Sequence, residues 1–195
     1  MKVGAELKIL LVEGIATSGK SSLIEKLSGL LKEQRVTVFG ESDTHMPIMD
    51  KPDQLHIEFF KSLIIEATKT DADLIIFDRL HYTQAFRAKT NIAAYAEIEN
   101  LLAANNTLVS YLMVDEAVVA ERVTLAVEHR DDKWGEYVQT RGKSFKEIAE
   151  YYILQQQNQL ELLSKSKLTS KVFNTTHHEY EAIADTLIKE WYDSV

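Results

Sequence analysis

"VEGIATSGKSS", residues 12–22, follows directly on a largely apolar run at residues 7–11. Gly14, four further residues, Gly19, Lys20 and Ser21 complete the pattern G-x-x-x-x-G-K-[ST]. In a chain of this length those fixed positions meet by chance on the order of one time in a hundred. A phosphate cradle needs a strand, then a turn whose backbone N–H groups point inward, then a helix whose N-terminus carries partial positive charge. Glycine at 14 and 19 opens backbone conformations closed to other residues and lets the chain approach phosphate oxygens. Lys20 then reaches the outer phosphates, and the Ser21 hydroxyl ligates Mg²⁺. The phosphate-binding set read from the motif is Gly14, Ile15, Ala16, Thr17, Ser18, Gly19, Lys20, Ser21 and Ser22.

Further along lie more short apolar, β-branched runs, at residues 36–40, 73–78 and 107–115, with a weaker one at 170–175. The first and third of the five runs are nearly continuous rather than alternating, which suits strands buried on both faces of a parallel sheet. Helical periodicity fills the gaps. Residues 19–33 place Leu23, Ile24, Leu27, Leu30 and Leu31 on one stripe, and residues 54–69 do the same with Leu55, Phe59, Leu63 and Ala67. Residues 92–104, 116–130 and 178–192 read as further helices, and Ser144 with Glu147 marks a capping box opening a helix that runs to about Leu163. Strands alternating with helices predict an α/β fold with a parallel sheet and right-handed crossovers. Two segments break the alternation. Residues 41–53 hold both prolines and form a connector at the sheet's edge; residues 131–143 are polar, with two of the seven glycines, between two helices.

The 195 residues, 45% hydrophobic, suit one domain with a sizeable core. A net charge of -8 disfavours a general nucleic-acid or anionic-membrane partner, since both are held by clustered Lys and Arg. The absence of cysteine excludes disulfides and thiolate chemistry. The N-terminal apolar run is too short for a membrane span and lacks a secretory cleavage pattern, so the expected location is cytoplasmic.

Asp78 ends the third apolar run, where an acid can hold Mg²⁺ through water or accept a proton; a helix N-cap is the competing role. Arg79 follows it, either at the ligand edge of the sheet or in a surface ion pair. Glu41 and Asp43 are base and sugar readers or plain turn residues. Tyr82 and Phe86, i and i+4, either stack on an acceptor base or pair along their helix. Trp134 stands in a polar segment with no obvious core to fill. A GTPase would carry D-x-x-G where this chain has "DRLH" (residues 78–81), which disfavours GTP switching.

Taken together, "EGIATSGKSS", "FDRLHYTQAFR", "MVDEAVVAERVTLAVEHR" and "VFNTTHHEYEAIADTLIKEW" resemble the thymidylate kinase and deoxynucleoside kinase group over most of the chain. The resemblance implies a P-loop NTPase fold, three-layer α/β/α with a five-stranded parallel sheet and a helical lid at 131–143, in one domain spanning 1–195. It implies transfer of the γ-phosphate of ATP, with Mg²⁺, to a nucleoside monophosphate, or alternatively to a deoxynucleoside or another small molecule. Lys20, Asp78, Arg79, Arg130 and Arg141 would be catalytic, with Arg122 and Lys133 as further lid cations. Ser21 and Asp78 would serve the metal, and Glu41, Arg79 and Tyr82 the acceptor. Members are often homodimers. Departures from the group are Ala16, where thymidylate kinases carry an acid, "GESDTHMP" (residues 40–47) in place of an arginine-proline stretch, and Asp-Arg where deoxynucleoside kinases have Glu-Arg. A nucleotide-binding module without turnover is the reading from a different class.

Overall fold

The computed structural model describes residues 7–129 and 132–193. Five strands, β1 (Lys8–Gly14), β2 (Val36–Phe39), β3 (Leu74–Asp78), β4 (Thr107–Met113) and β5 (Thr169–Asn174), form one sheet in the order β2-β3-β1-β4-β5. Every neighbouring pair is parallel. β1 and β3 are buried along their whole length, as continuous apolar runs require, whereas β5 lies at the edge and leaves four of its six residues exposed.

Successive side chains of β1 point to opposite faces, and each face has its own core. Leu10 and Val12 join Leu23 and Leu27 of α1 (Lys20–Leu30) and Ile183 and Leu187 of a C-terminal helix on one side. Ile9 and Leu11 face the other side, with Phe60 and Ile64 of α3 (Asp53–Ala67), Ala85 of α4 (His81–Arg87) and Ile98 of α5 (Ala96–Ala103). The result is three layers, α/β/α. A third apolar cluster lies beyond the sheet, where Ile15 and Val114 meet α6 (Glu116–His129), α7 (Asp132–Gln139) and α8 (Phe145–Lys165). The last helix is α9 (Tyr180–Leu187), which continues in a π turn to Tyr192.

The structure departs from the sequence reading in several places. Leu30 is exposed on α1. On α3 the buried stripe is His56, Phe60, Ile64 and Ala67, one residue round from the stripe expected, and Leu55 faces out. That helix is apolar on two adjacent faces, and the sheet takes the one carrying Phe60 and Ile64. The 41–53 connector folds as a short helix, α2 (Glu41–Thr44), and a 3-10 turn, Met46–Ile48. Pro47 falls in the first turn of the latter and Pro52 caps α3, positions where a missing N–H does no harm. No described helix is long and apolar enough to cross a membrane.

Candidate active site

All five parallel strands end on one edge, and there the candidate residues gather. β1 ends at Gly14 with φ +145°, where an added Cβ would stand 2.5 Å from the Leu112 carbonyl oxygen and 2.7 Å from Ser18 Oγ. Gly19, at φ +89°, has the Tyr180 ring where its Cβ would be, and Thr17 also takes a positive φ of 70°. No side chain caps α1, and its first turn holds no acid, so its leading N–H groups are open to an anion. Lys20 is the first residue of that helix. Its buried Nζ donates to the Ile15 carbonyl at 3.1 Å, and burial, then the Arg79 charge, push its pKa down to about 8. Ile15 anchors the loop in the third cluster and Ser18 is fully buried; Ala16, Thr17 and Ser21 face the cleft, while Ser22 is exposed on α1.

β1 and β3 are in register so that Val12 lies opposite Asp78, which sets that carboxylate beside the loop. Asp78 and Ser21 line the same cleft. A hydroxyl and a carboxylate suit Mg²⁺, which takes few protein oxygens and fills its octahedron with phosphate oxygens and water. Among the described residues there is no group of three or more His, Asp or Glu that would make a self-sufficient metal site.

The turn after β3 holds Arg79 at φ +66°. Its N–H donates to the Val12 carbonyl at 3.0 Å, and Nη1 meets the Glu41 carboxylate at 2.6 Å, while its Nε is buried without a hydrogen-bond partner. Sequence reading passed over Glu13, which is fully buried behind this turn. Its carboxylate accepts the Leu80 N–H at 2.7 Å and the Thr83 hydroxyl at 3.0 Å; burial pushes its pKa up against those bonds. Thr83 in turn accepts from Gln159, whose carbonyl takes the Tyr111 hydroxyl, so a polar chain runs beneath the site.

Thr83 and Arg87 are i and i+4 on α4, and Arg87 lines the cleft. Tyr82 points elsewhere. It is 1% exposed, its hydroxyl bonds Ser166 at 2.8 Å and Glu99 at 3.2 Å, and the structure does not bring it to the cleft as an acceptor contact. The i, i+4 spacing with Phe86 gave no sign of which face α4 turns inward. Phe86 packs edge-on against Tyr151 at 5.5 Å. His45 lines the cleft over Phe60; its ring nitrogens have no hydrogen-bond partner and burial holds its pKa well below the ordinary range.

The cleft has a volume of about 430 Å³, within the usual range for small-molecule sites. Trp134, Tyr137, Tyr151, Tyr152 and Gln155 form its far wall, with Met46 and Met49 at its mouth. The sequence signal for that wall was present in "AEYYILQQQNQ" (residues 149–159), where polar and aromatic residues replace the aliphatics of a core helix. The 131–143 segment, polar in composition and expected from the resemblance to be a helical lid, forms α7 over Asp132–Gln139, with Trp134, Tyr137 and Val138 on the face toward the third cluster. Arg141 donates Nη2 to the Tyr137 hydroxyl at 2.7 Å and stacks on the Tyr137 and Tyr151 rings. Arg122 braces rather than roams: it donates to the carbonyls of Thr17 and Thr176, each at 3.1 Å, and of Thr175. Arg130 lies outside the described residues.

A glycine-bounded loop after the central strand of a 2-3-1-4-5 parallel sheet, with helices on both faces, is the fold of P-loop kinases. Three solved structures share it. The YorR protein of Bacillus subtilis, crystallised with phosphorylated GDP, is 22% identical over 92% of this chain and 93% of its own, with a TM-score of 0.63. Shikimate kinase of Bacteroides thetaiotaomicron gives 13% identity over 94% and 97%, TM-score 0.57. Polyphosphate kinase 2 of Arthrobacter aurescens gives 14% over 94% of this chain and 66% of its own, TM-score 0.59. At these identities the likeness is one of fold. No protein-family model matches the chain, and no curated protein does.

Proposed function

We propose that the protein is a P-loop kinase that moves the γ-phosphate of ATP to a small acceptor, and that a nucleoside monophosphate is the acceptor this cleft suits best. One observation carries the reading: a single cleft joins Lys20 and Ser21 of the phosphate loop to Arg79, Arg87 and an aromatic wall. Phosphoryl transfer asks a protein for position and for cations where charge develops, and little covalent chemistry. Lys20 leaves the Ile15 carbonyl for the donor phosphates, and α1 presents its open N–H groups to them. Ser21 and Asp78 would hold Mg²⁺, which supplies charge neutralisation at the phosphates when bound. Arg79, held by Glu41, orients the acceptor, and the tyrosine and tryptophan rings take a flat base. A phosphate acceptor is already ionised at neutral pH, so no general base is required of Asp78.

A deoxynucleoside acceptor is the second reading. Glu41 supports it, since a carboxylate facing the cleft can take a proton from a sugar hydroxyl. The deciding experiment is ADP production from ATP and Mg²⁺ with each nucleoside and each nucleoside monophosphate at matched concentration. Stimulation by a monophosphate, abolished by Lys20→Ala in a chain that still folds, is the expected result. ATP binding with no acceptor response across the panel would favour a nucleotide-binding module, and full turnover in Lys20→Ala would remove the phosphate-loop assignment.

A further inference from the structure

Two guanidinium groups converge on one neutral oxygen in the wall of the cleft. Arg87, from the sheet-packed α4, donates Nη2 to the Tyr137 hydroxyl at 3.1 Å; Arg141, from beyond α7, donates to the same oxygen at 2.7 Å. Among the described residues neither arginine has a carboxylate within ion-pair distance, although the whole chain carries a net charge of -8. The Arg141 Nε is buried without a hydrogen-bond partner, and so is the hydroxyl of Tyr152, which lines the same cleft. A phenol gives each guanidinium one neutral acceptor, whereas a phosphate adds an opposite charge and several oxygens that a planar guanidinium can take in bidentate fashion. We propose that the Tyr137 hydroxyl is a placeholder, and that Arg87 and Arg141 form an oxyanion subsite that a phosphate-class group occupies by displacing it. This deepens the kinase reading and rests on it for the source of the oxyanion, which is either the phosphate of the acceptor or the terminal phosphate of the donor.

The exchange has an optical reporter. Trp134 stands one turn before Tyr137 on α7 and faces the cleft, while the other tryptophan, Trp191, packs by Lys8 in the C-terminal turn. In a Trp191→Phe chain, inorganic phosphate is titrated against Trp134 fluorescence, with calorimetry alongside. Tyr137→Phe removes the competing oxygen and is expected to saturate at about fivefold lower phosphate, the size of one or two displaced hydrogen bonds. Arg87→Gln is expected to need about tenfold more phosphate, and Arg141→Gln provides a second test should Arg87→Gln fail to fold. Both shifts should persist when Lys20→Ala is added. Unchanged or weaker phosphate binding in Tyr137→Phe, or loss of its effect with Lys20→Ala, overturns the subsite. Full ATP binding in Lys20→Ala overturns the phosphate loop instead and leaves the subsite standing. Repeating the titration with a saturating non-hydrolysable ATP analogue and Mg²⁺ separates the two sources: a surviving response supports the acceptor's phosphate, and a lost one overturns that source in favour of the donor's.

Discussion

Lys20 is an ammonium in a place that disfavours its charge, and that fixes how it responds to pH. Its pKa lies near 8 against an ordinary 10.5. Between those values the unfolded chain holds a proton that the folded chain has released, so this group's contribution to stability rises with pH through that window, and the cost of burying the charge stands in full below it. An anionic phosphate reverses the preference and raises the pKa. ATP binding at about pH 8.5 should therefore take up protons, and affinity should fall as pH rises further. Calorimetry in two buffers of different protonation enthalpy measures the uptake, which Lys20→Met should abolish. Gly14 is constrained by space and backbone together: Gly14→Ala should cost about 1–3 kcal/mol, lower the melting temperature by several degrees and weaken ATP binding. At this scale the residues adjacent in the chain were the legible ones. Gly14, Gly19 and Lys20 announce themselves by spacing, and Asp78 and Arg79 by ending a strand. Arg87 and Glu13 gain their meaning from partners 50 or more positions away, which no local pattern contains.

Among the elements, α8 shows how a helix can be amphipathic without being apolar. Gln156 bonds both the N–H and the carbonyl of Val114, each at 2.8 Å, and so continues the pairing of β4 past its last residue. Gln156→Leu would strand two buried backbone groups and should destabilise the protein by about 2–5 kcal/mol, read by chemical denaturation. Gln157→Ala, one position along and solvent-facing, should stay within about 0.5 kcal/mol. The start of this helix was legible: Ser144 accepts the Glu147 N–H, although Glu147 reaches back to Lys143 rather than to the cap residue itself. The β1 and β3 runs were equally plain, because burial on both faces leaves no polar alternation. α7 was obscured by composition, since its charged residues and Gly135 outweigh an apolar face only three residues wide.

Across the whole molecule, three apolar clusters divide the labour. Two hold helices to the sheet, and the third ties α6, α7 and α8 directly to the phosphate loop through Ile15 and Ala16. Arg122 makes that tie polar as well, because Thr17 belongs to the loop and Thr175 and Thr176 to the turn after β5. Arg122→Met should cost about 2–4 kcal/mol by removing the hydrogen bonds of a charged donor to three carbonyls, and it should weaken ATP binding as the loop loosens; thermal melting with and without ATP measures both. The parallel α/β layering followed from alternation and motif, whereas the strand order did not, and the charge of the cleft did not follow from a net charge of -8, which describes the surface and says nothing of one concave edge.

Glu13 joins the two halves of that edge. It stands on the strand that leads into the Gly14–Gly19 loop and holds the N–H of Leu80, the residue after Arg79. The spacing between the loop after β1 and the turn after β3 is thus set by the length of one side chain as well as by the ladder between the two strands. A carboxylate shorter by one methylene would have to draw the turn inward or release either Leu80 or Thr83, so this position works as a caliper.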